Sequence, residues 1–415
     1  METDPSPMEI DTVMNNNLEF GMRMARHIIL KEITNGCKNN IVVSPLSLHA
    51  MLNLVASGTK GRTLEQLLSF LESDSIEQLN AQSSQIMELT TTSQESLESE
   101  NVELSSTSSN QGPIISFVGG IWVYHELSIK PSFKQLAEDV YKAKAESVDF
   151  VNQAEKVREE VNEWASKATK GLIKDLLPHG FFRSDTILAL ANALYFKGTW
   201  LHEFDTSRTR NEDFHLLDGK TVKAPFMMSY SSTPQFYGSF DGFKLLKLPY
   251  KTGRKDDNIK QYSMFIFLPD KEDGLKDLIH KFNSDSSFLH KNWDLWQVEL
   301  SKMWIPKFKF SYKLNALPIM KELGLKLLFE RHLEVSEIVD YDDVVVTQAI
   351  HKAFIDVNEE GTSAAAVTLV SGVFGFSGPK LPPPPSFVAD HPFMFMIKEE
   401  TSGIVLFAGA VLNPL

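Results

Sequence analysis

The stretch Ala353-Phe354-Ile355-Asp356-Val357-Asn358-Glu359-Glu360-Gly361-Thr362-Ser363-Ala364-Ala365-Ala366-Val367-Thr368-Leu369-Val370-Ser371-Gly372-Val373-Phe374-Gly375-Phe376 sets three local preferences against one another. It opens as a strand, passes two acids and a glycine, and then enters small and β-branched residues. Ala364 to Ala366 favours helix, Val367 to Val370 favours strand, and the glycines with the following Pro382-Pro383-Pro384-Pro385 favour loop. A mobile surface loop satisfies that composition but not its alternation. Drawn out as a strand, the segment places Thr362, Ala364, Ala366, Thr368, Val370 and Gly372 on one face. None of these is charged or large, so the face can enter a packed interior without burying an unpaired charge.

Upstream, the chain reads as helices followed by strands. Leu18, Phe20, Gly21, Met24 and Ile28 fall near helical spacing after an opening polar stretch expected to be disordered. Ile41-Val42-Val43 predicts a short buried strand, and Ser44-Pro45 starts a helix closed by Gly58. Lys156 to Leu177 is helical in pattern, and Ile187 to Tyr195 reads as a buried strand. Strand signals dominate from about Phe214, with a further helix over Ala316 to Leu323 ended by Gly324. Residues 88–112 are rich in Ser, Thr, Glu and Gln and read as a flexible insert. Strand-like sequence resumes directly at Ile114, so the insert does not separate domains. The pattern is that of an α+β body built on mixed sheets.

Bulk properties narrow the function. A net charge of -13 over 415 residues argues against a nucleic-acid binder, which needs a basic face. No apolar run approaches the roughly 20 residues of a membrane helix. The single cysteine, Cys37, permits no intramolecular disulfide, and no Asn-x-Ser/Thr acceptor occurs. With an N-terminus unlike a signal peptide, these features favour the cytoplasm as the expected location, although unconventional secretion would leave no mark. Neither a zinc-protease helix motif, a phosphate loop nor a nucleophile elbow is found, and the eleven histidines do not fall at metal-ligand spacing. No metal, cofactor or catalytic residue is therefore assigned.

Asn358-Glu359-Glu360-Gly361-Thr362-Ser363-Ala364-Ala365-Ala366 resembles the hinge of an inhibitory serpin. Val388-Ala389-Asp390-His391-Pro392-Phe393 and Gly403 to Gly409 resemble the C-terminal strands of that family. Asn40 to Ser47 is similar to its shutter segment, and Asn192 to Trp200 to its breach strand. Asn162-Glu163-Trp164 with Thr169-Lys170-Gly171 looks like the helix before a sheet strand, and Leu248-Pro249-Tyr250 like a later strand. These motifs keep the family's order from residue 18 to residue 415, and the wording at Phe387 to Pro392 is most similar to plant serpins. Gly119-Gly120 departs from the family's usual Ala-Asn, and Ser363 stands where Glu is common.

The resemblance implies one domain over residues 18–415 behind a disordered extension of residues 1–17. It implies three β-sheets, about nine helices and an exposed reactive-centre loop over residues 358–386. The implied function is protease inhibition, not enzymatic turnover: a target protease cleaves the loop, becomes covalently attached, and is carried along as the loop inserts into a sheet. A monomer is expected, with no nucleic-acid or membrane partner. The implied hinge is Glu359, Glu360, Gly361, Thr362, Ser363, Ala364, Ala365 and Ala366. The implied shutter cluster is Ser44, Ser47, Asn192 and His391, and Trp200 lies at the breach. Counting from the hinge puts the reactive bond at Gly375-Phe376, and counting back from His391 puts it at Phe376-Ser377. Either register puts an aromatic at or beside the cut, which favours chymotrypsin-like, elastase-like or papain-like proteases, and no Arg or Lys occurs between Lys352 and Lys380 to suit a trypsin-like one. A non-inhibitory serpin acting as carrier or chaperone shares the fold, but a spoiled hinge would be typical of it. A hydrolase, the other alternative, would show turnover instead of stoichiometric loss.

Overall fold

Ser44 begins the central helix as the sequence pattern requires. Its hydroxyl accepts the backbone N–H of Ser47 at 3.2 Å, and Pro45 occupies the first helical position, where no N–H is needed. The helix that follows, Pro45–Ala56, is buried along its whole length. A helix buried on every side belongs in the middle of a large body, and strands of two of the three sheets pack against it. The computed structural model describes residues 7–98, 112–169, 171, 173–229, 233–252, 260–284, 293–330, 334–341, 344–361 and 384–415.

Strands and helices are numbered along the chain. The largest sheet is antiparallel in the order β1 (Ile41–Val43), β16 (Val405–Val411), β15 (Phe393–Glu399), β9 (Tyr262–Pro269), β8 (Phe243–Pro249), β7 (Gln235–Phe240) and β10 (Trp296–Val298). A four-stranded sheet runs β14 (Ser386–Val388), β11 (Lys302–Pro306), β6 (Thr221–Ser229) and β5 (Arg210–His215). The third sheet is mixed, in the order β12 (Phe308–Asn315), β13 (Val346–Val357), β4 (Leu188–Lys197), β2 (Ile114–Tyr124) and β3 (Lys144–Val148). Eight α-helices occur among the described residues: α1 (Pro7–Thr34), α2 (Pro45–Ala56), α3 (Gly61–Leu71), α4 (Ile76–Glu98), α5 (Pro131–Asp139), α6 (Ala154–Ala168), α7 (Leu275–Ser284) and α8 (Leu317–Glu322).

The third sheet is apolar on both faces, and β4 shows why. Leu188, Leu190, Leu194 and Phe196 face the interior that holds α2. Ala189, Ala191, Ala193 and Tyr195 face outward and are covered by Val157, Val161 and Ala165 of α6. Three alanines on that outer face leave room for the helix to approach closely. Period-2 alternation thus hides both faces, and β4 reads as a continuous apolar run.

Four expectations are corrected. The helix α1 begins at Pro7, inside the extension expected to be disordered. Residues 8–19 contain neither glycine nor proline, so a helix nucleated on its buried part can propagate backward one hydrogen bond at a time. For the same reason α4 runs through to Glu98, into the polar stretch expected to be a flexible insert; residues 99–111 lie outside the described residues. The helix expected over Lys156 to Leu177 stops at Ala168, and the following loop places Gly171 and Asp175 at φ 80° and 51°. The strand expected at Val344-Val345-Val346 begins only at Val346.

Candidate functional site

The seam between β4 and β13 is where the sheet chemistry concentrates. These strands are direct, parallel neighbours, paired from Val346 against Leu188 to Phe354 against Tyr195. Pairing stops there, although β13 continues to Val357 and β4 to Lys197. Tyr195 and Phe354 close the paired part with stacked rings, centroids 5.7 Å apart. Above them β13 is paired on its β12 side only, from Ile355 against Phe310 to Val357 against Phe308. Each strand therefore exposes backbone hydrogen-bonding groups toward the other at this end, an unfilled edge of the kind that accepts an added strand.

A buried polar cluster underlies the seam. His351 of β13 takes the backbone N–H of Ser44 on Nε2 at 3.1 Å, so Nδ1 carries the proton. Nδ1 lies 3.1 Å from Asn192 Oδ1 and 3.3 Å from Ser47 Oγ. Asn192 in turn donates from Nδ2 to the Ser47 carbonyl. The group joins β4, β13 and the start of α2 with its polar atoms satisfied locally. Burial holds the imidazole neutral, lowering its pKa from 6.5 to about 3. Ser44, Ser47 and Asn192 thus meet as the sequence implied, but His391 does not join them. His391 sits in the turn before β15, between Asp390 Oδ1 at 2.8 Å and the Pro269 carbonyl at 2.8 Å. That position ties it to the end of β9 in the largest sheet, away from the β4–β13 seam. The missed histidine carried a signal: a lone polar ring in the apolar strand Ala349-Ile350-His351-Lys352-Ala353 on the face shared with Ala349 and Ala353.

A second cluster caps the open end. Trp200 is fully buried and stacks on Tyr250 with centroids 4.5 Å apart. Its indole N–H donates to the Asn358 carbonyl at 3.0 Å, and its backbone N–H to Glu360 O at 2.8 Å. Asn358 and Gly361 close a tight turn through N–H···O contacts of 2.8 and 3.2 Å. Gly361 has φ 138°, and a Cβ there would lie 2.2 Å from the Gly198 carbonyl oxygen. Only glycine fits. Glu359 is buried and accepts from Lys307 Nζ at 2.8 Å and Thr209 Oγ1 at 2.5 Å. Burial pushes its carboxyl pKa up, but the bonds from Lys307 and Thr209 outweigh that and hold it below the ordinary range. Glu360 is shifted the other way by burial and by the neighbouring Glu203 and Glu359 carboxylates. Lys307 and Thr209 escaped sequence reading because they are 52 and 150 residues from Glu359 and belong to no local motif.

The rest of the hinge, Thr362, Ser363, Ala364, Ala365 and Ala366, lies outside the described residues, as do Gly375, Phe376 and Ser377. The chain returns at Pro384. There Pro385 accepts two hydrogen bonds from Ser301, from its N–H at 2.8 Å and its hydroxyl at 3.1 Å, and β14 joins β11. Twenty-two residues, 362–383, therefore connect the Trp200 cap to the four-stranded sheet.

The family model "Serpin (serine protease inhibitor)" matches residues 15–414. The chain belongs to the serpin family. It is 41% identical to Serpin-ZX of Arabidopsis thaliana over 413 residues, covering 98% of this chain and 100% of the relative. It is 40% identical to Serpin-Z2A of Triticum aestivum, with 95% of each chain covered. Among solved structures, Arabidopsis AtSerpin1 in its native stressed conformation superposes over the full length of both chains, at 39% identity and a TM-score of 0.82. Uncleaved ovalbumin, at 22% identity and a TM-score of 0.75, covering 96% of this chain and 98% of its own, shares the fold. The plant serpin relatives and the AtSerpin1 structure make this serpin a protease inhibitor and not an enzyme. Inhibitors of this family form covalent complexes with their target proteases.

Proposed function

We propose that this serpin inhibits a protease of chymotrypsin-like, elastase-like or papain-like specificity, cut at Gly375-Phe376 or Phe376-Ser377, as a monomer in the cytoplasm. One observation carries the mechanism: β13 and β4 are adjacent but unpaired above Phe354 and Tyr195, directly below the turn from which the loop departs. A cleaved loop freed at its far end can enter there, with Thr362, Ala364, Ala366, Thr368, Val370 and Gly372 on one uncharged face. The segment 362–375, fourteen residues, spans roughly 45 Å at about 3.3 Å per residue. Each hydrogen bond gained contributes about 1 kcal/mol net, so insertion releases on the order of 10 kcal/mol. The uncleaved form is then held by a barrier, not by depth of its energy minimum. Specificity follows from the residue at the cut, since a protease pocket reads mainly that side chain. Phe376 offers a large apolar group, and no Arg or Lys lies between Lys352 and Lys380.

The test is a panel of chymotrypsin-like, elastase-like, papain-like and trypsin-like proteases. SDS-resistant complexes are scored on a gel, and the released C-terminal fragment is weighed by mass spectrometry. The expected result is a stable complex with one of the first three classes and a fragment beginning at Phe376 or Ser377. Clean cleavage without a complex would sink the inhibitory mechanism for that protease. A fragment beginning beyond Lys380 would overturn both registers.

A further inference from the structure

A cleft of about 260 Å³ opens on the outer face of the seam, under the loop that follows α6. Its walls come from three strands and the loop: Ala193 and Leu194 of β4, Lys352 and Phe354 of β13, Ser311 of β12, and Ile173 with Asp175. One half is apolar, formed by Ile173, Ala193 and Phe354. The other half is cationic. Lys352 reaches up to donate to the Lys174 and Asp175 carbonyls, the latter at 3.1 Å. An ammonium has three donors, and these two contacts leave one for the cleft. Lys313 stands directly opposite Lys352 in the β12–β13 register, and like charges opposed across strands repel. Lys174 adds a third cation at the rim. Asp175 is the acid that bears on both Lys313 and Lys352, while partial desolvation is the first cause holding each of those lysines below its ordinary pKa. A group of three cations against one carboxylate, beside an apolar wall, is the complement of a small carboxylate with an apolar body.

We propose that this cleft binds a small amphipathic monocarboxylate, its carboxylate against Lys352 and Lys313 and its apolar body against Phe354, Ala193 and Ile173. Such a ligand touches β4, β13 and β12 together and pins the overlying loop. Loop insertion requires Ala193 and Leu194 to separate from Lys352 and Phe354, so occupancy holds the seam shut. The ligand therefore stabilises the uncleaved protein by mass action and slows insertion, letting more of the protease escape. This second consequence rests on the insertion mechanism proposed above; the binding itself does not.

Hexanoate is the probe, with hexanol as its uncharged counterpart and acetate as the anion without an apolar body. The full-length uncleaved protein is titrated by calorimetry and by thermal shift. The expected result is saturable hexanoate binding with a raised melting temperature, and no comparable effect of hexanol or acetate. Lys313→Gln, an exposed position on β12, should weaken hexanoate binding about fivefold, the loss that one partly screened charge gives. Equal effects of hexanol and hexanoate, or an undiminished affinity in Lys313→Gln, would overturn the carboxylate assignment. No binding at tens of millimolar would overturn the site. For the regulatory step, the fraction of protease trapped is measured with and without saturating hexanoate, and a fall is expected. Unchanged trapping despite demonstrated binding would overturn regulation alone. Absence of trapping without ligand would instead refute the inhibitory mechanism, while leaving the binding result intact.

Discussion

His351 is neutral where it lies because nothing charged faces it. Its partners are a backbone N–H, an amide oxygen and a hydroxyl. A proton therefore binds the unfolded chain more readily, since the native pKa of about 3 is below the ordinary 6.5. The stabilisation is fully present above about pH 6.5 and is lost as pH falls from there toward 3. His49, buried in α2 and lowered to about 4 by burial alone, acts in the same direction. As pH falls from 6.5 to 5, the loss of stability from each histidine steepens toward about 1.4 kcal/mol per pH unit. Urea denaturation across that range should show this slope, and His351→Gln should remove about half of it. An unchanged slope in His351→Gln would mean that the ring is not held neutral. Gly361 permits a sharper test at the other end of the seam. With φ 138° and a carbonyl 2.2 Å from the position of a Cβ, Gly361→Ala should lower the melting temperature of the uncleaved protein, corresponding to more than about 1 kcal/mol. An unaltered melting temperature would show that the turn opens freely.

At the scale of elements, the hinge and the seam were unequally legible. The strand that becomes β4 announced itself as an apolar run, and Ser44-Pro45 marked the start of α2, because both signals are local. The polar cluster was three-quarters legible: Ser44, Ser47 and Asn192 lie within resembling motifs, but the choice between His351 and His391 depends on which strand lies over α2. That is a long-range fact, 159 residues from Asn192 to His351. Lys307 and Thr209 were illegible for the same reason. Polar composition misled at residues 7–17 and 88–98, where the absence of glycine and internal proline leaves helix propagation uninterrupted. The insertion strand yields its own prediction. Thr362 follows directly on Gly361 and comes first in the alternation, so Thr362→Arg would carry an unpaired charge into the sheet at a cost of several kcal/mol. The variant should be cleaved as a substrate, with a stoichiometry of inhibition well above that of the wild type. Trapping in the wild-type proportion would show that residue 362 does not enter the sheet.

On the scale of the whole molecule, the unpaired end of β4 and β13 is the feature whose consequences reach furthest. A five-stranded sheet with a parallel seam, closed by one aromatic pair and underlain by one neutral histidine cluster, has a place for a sixth strand built into its order. Filling it leaves the strand count of the other two sheets unchanged and adds hydrogen bonds on both sides of the new strand. Stability should then be gained without any change in composition, by cutting one peptide bond. Limited proteolysis that cleaves within Gly375 to Ser377 should raise the melting temperature by roughly ten degrees. That rise corresponds to the roughly 10 kcal/mol estimated from hydrogen bonds alone, spread over a chain of this length. The cleaved protein should also resist urea at concentrations that unfold the intact one. Calorimetry on intact and fully cleaved protein, with the cleavage point fixed by mass spectrometry, decides the matter. An unchanged melting curve after complete cleavage would mean that the seam stays closed, and the protein would then have the fold of an inhibitor without the motion that traps a protease.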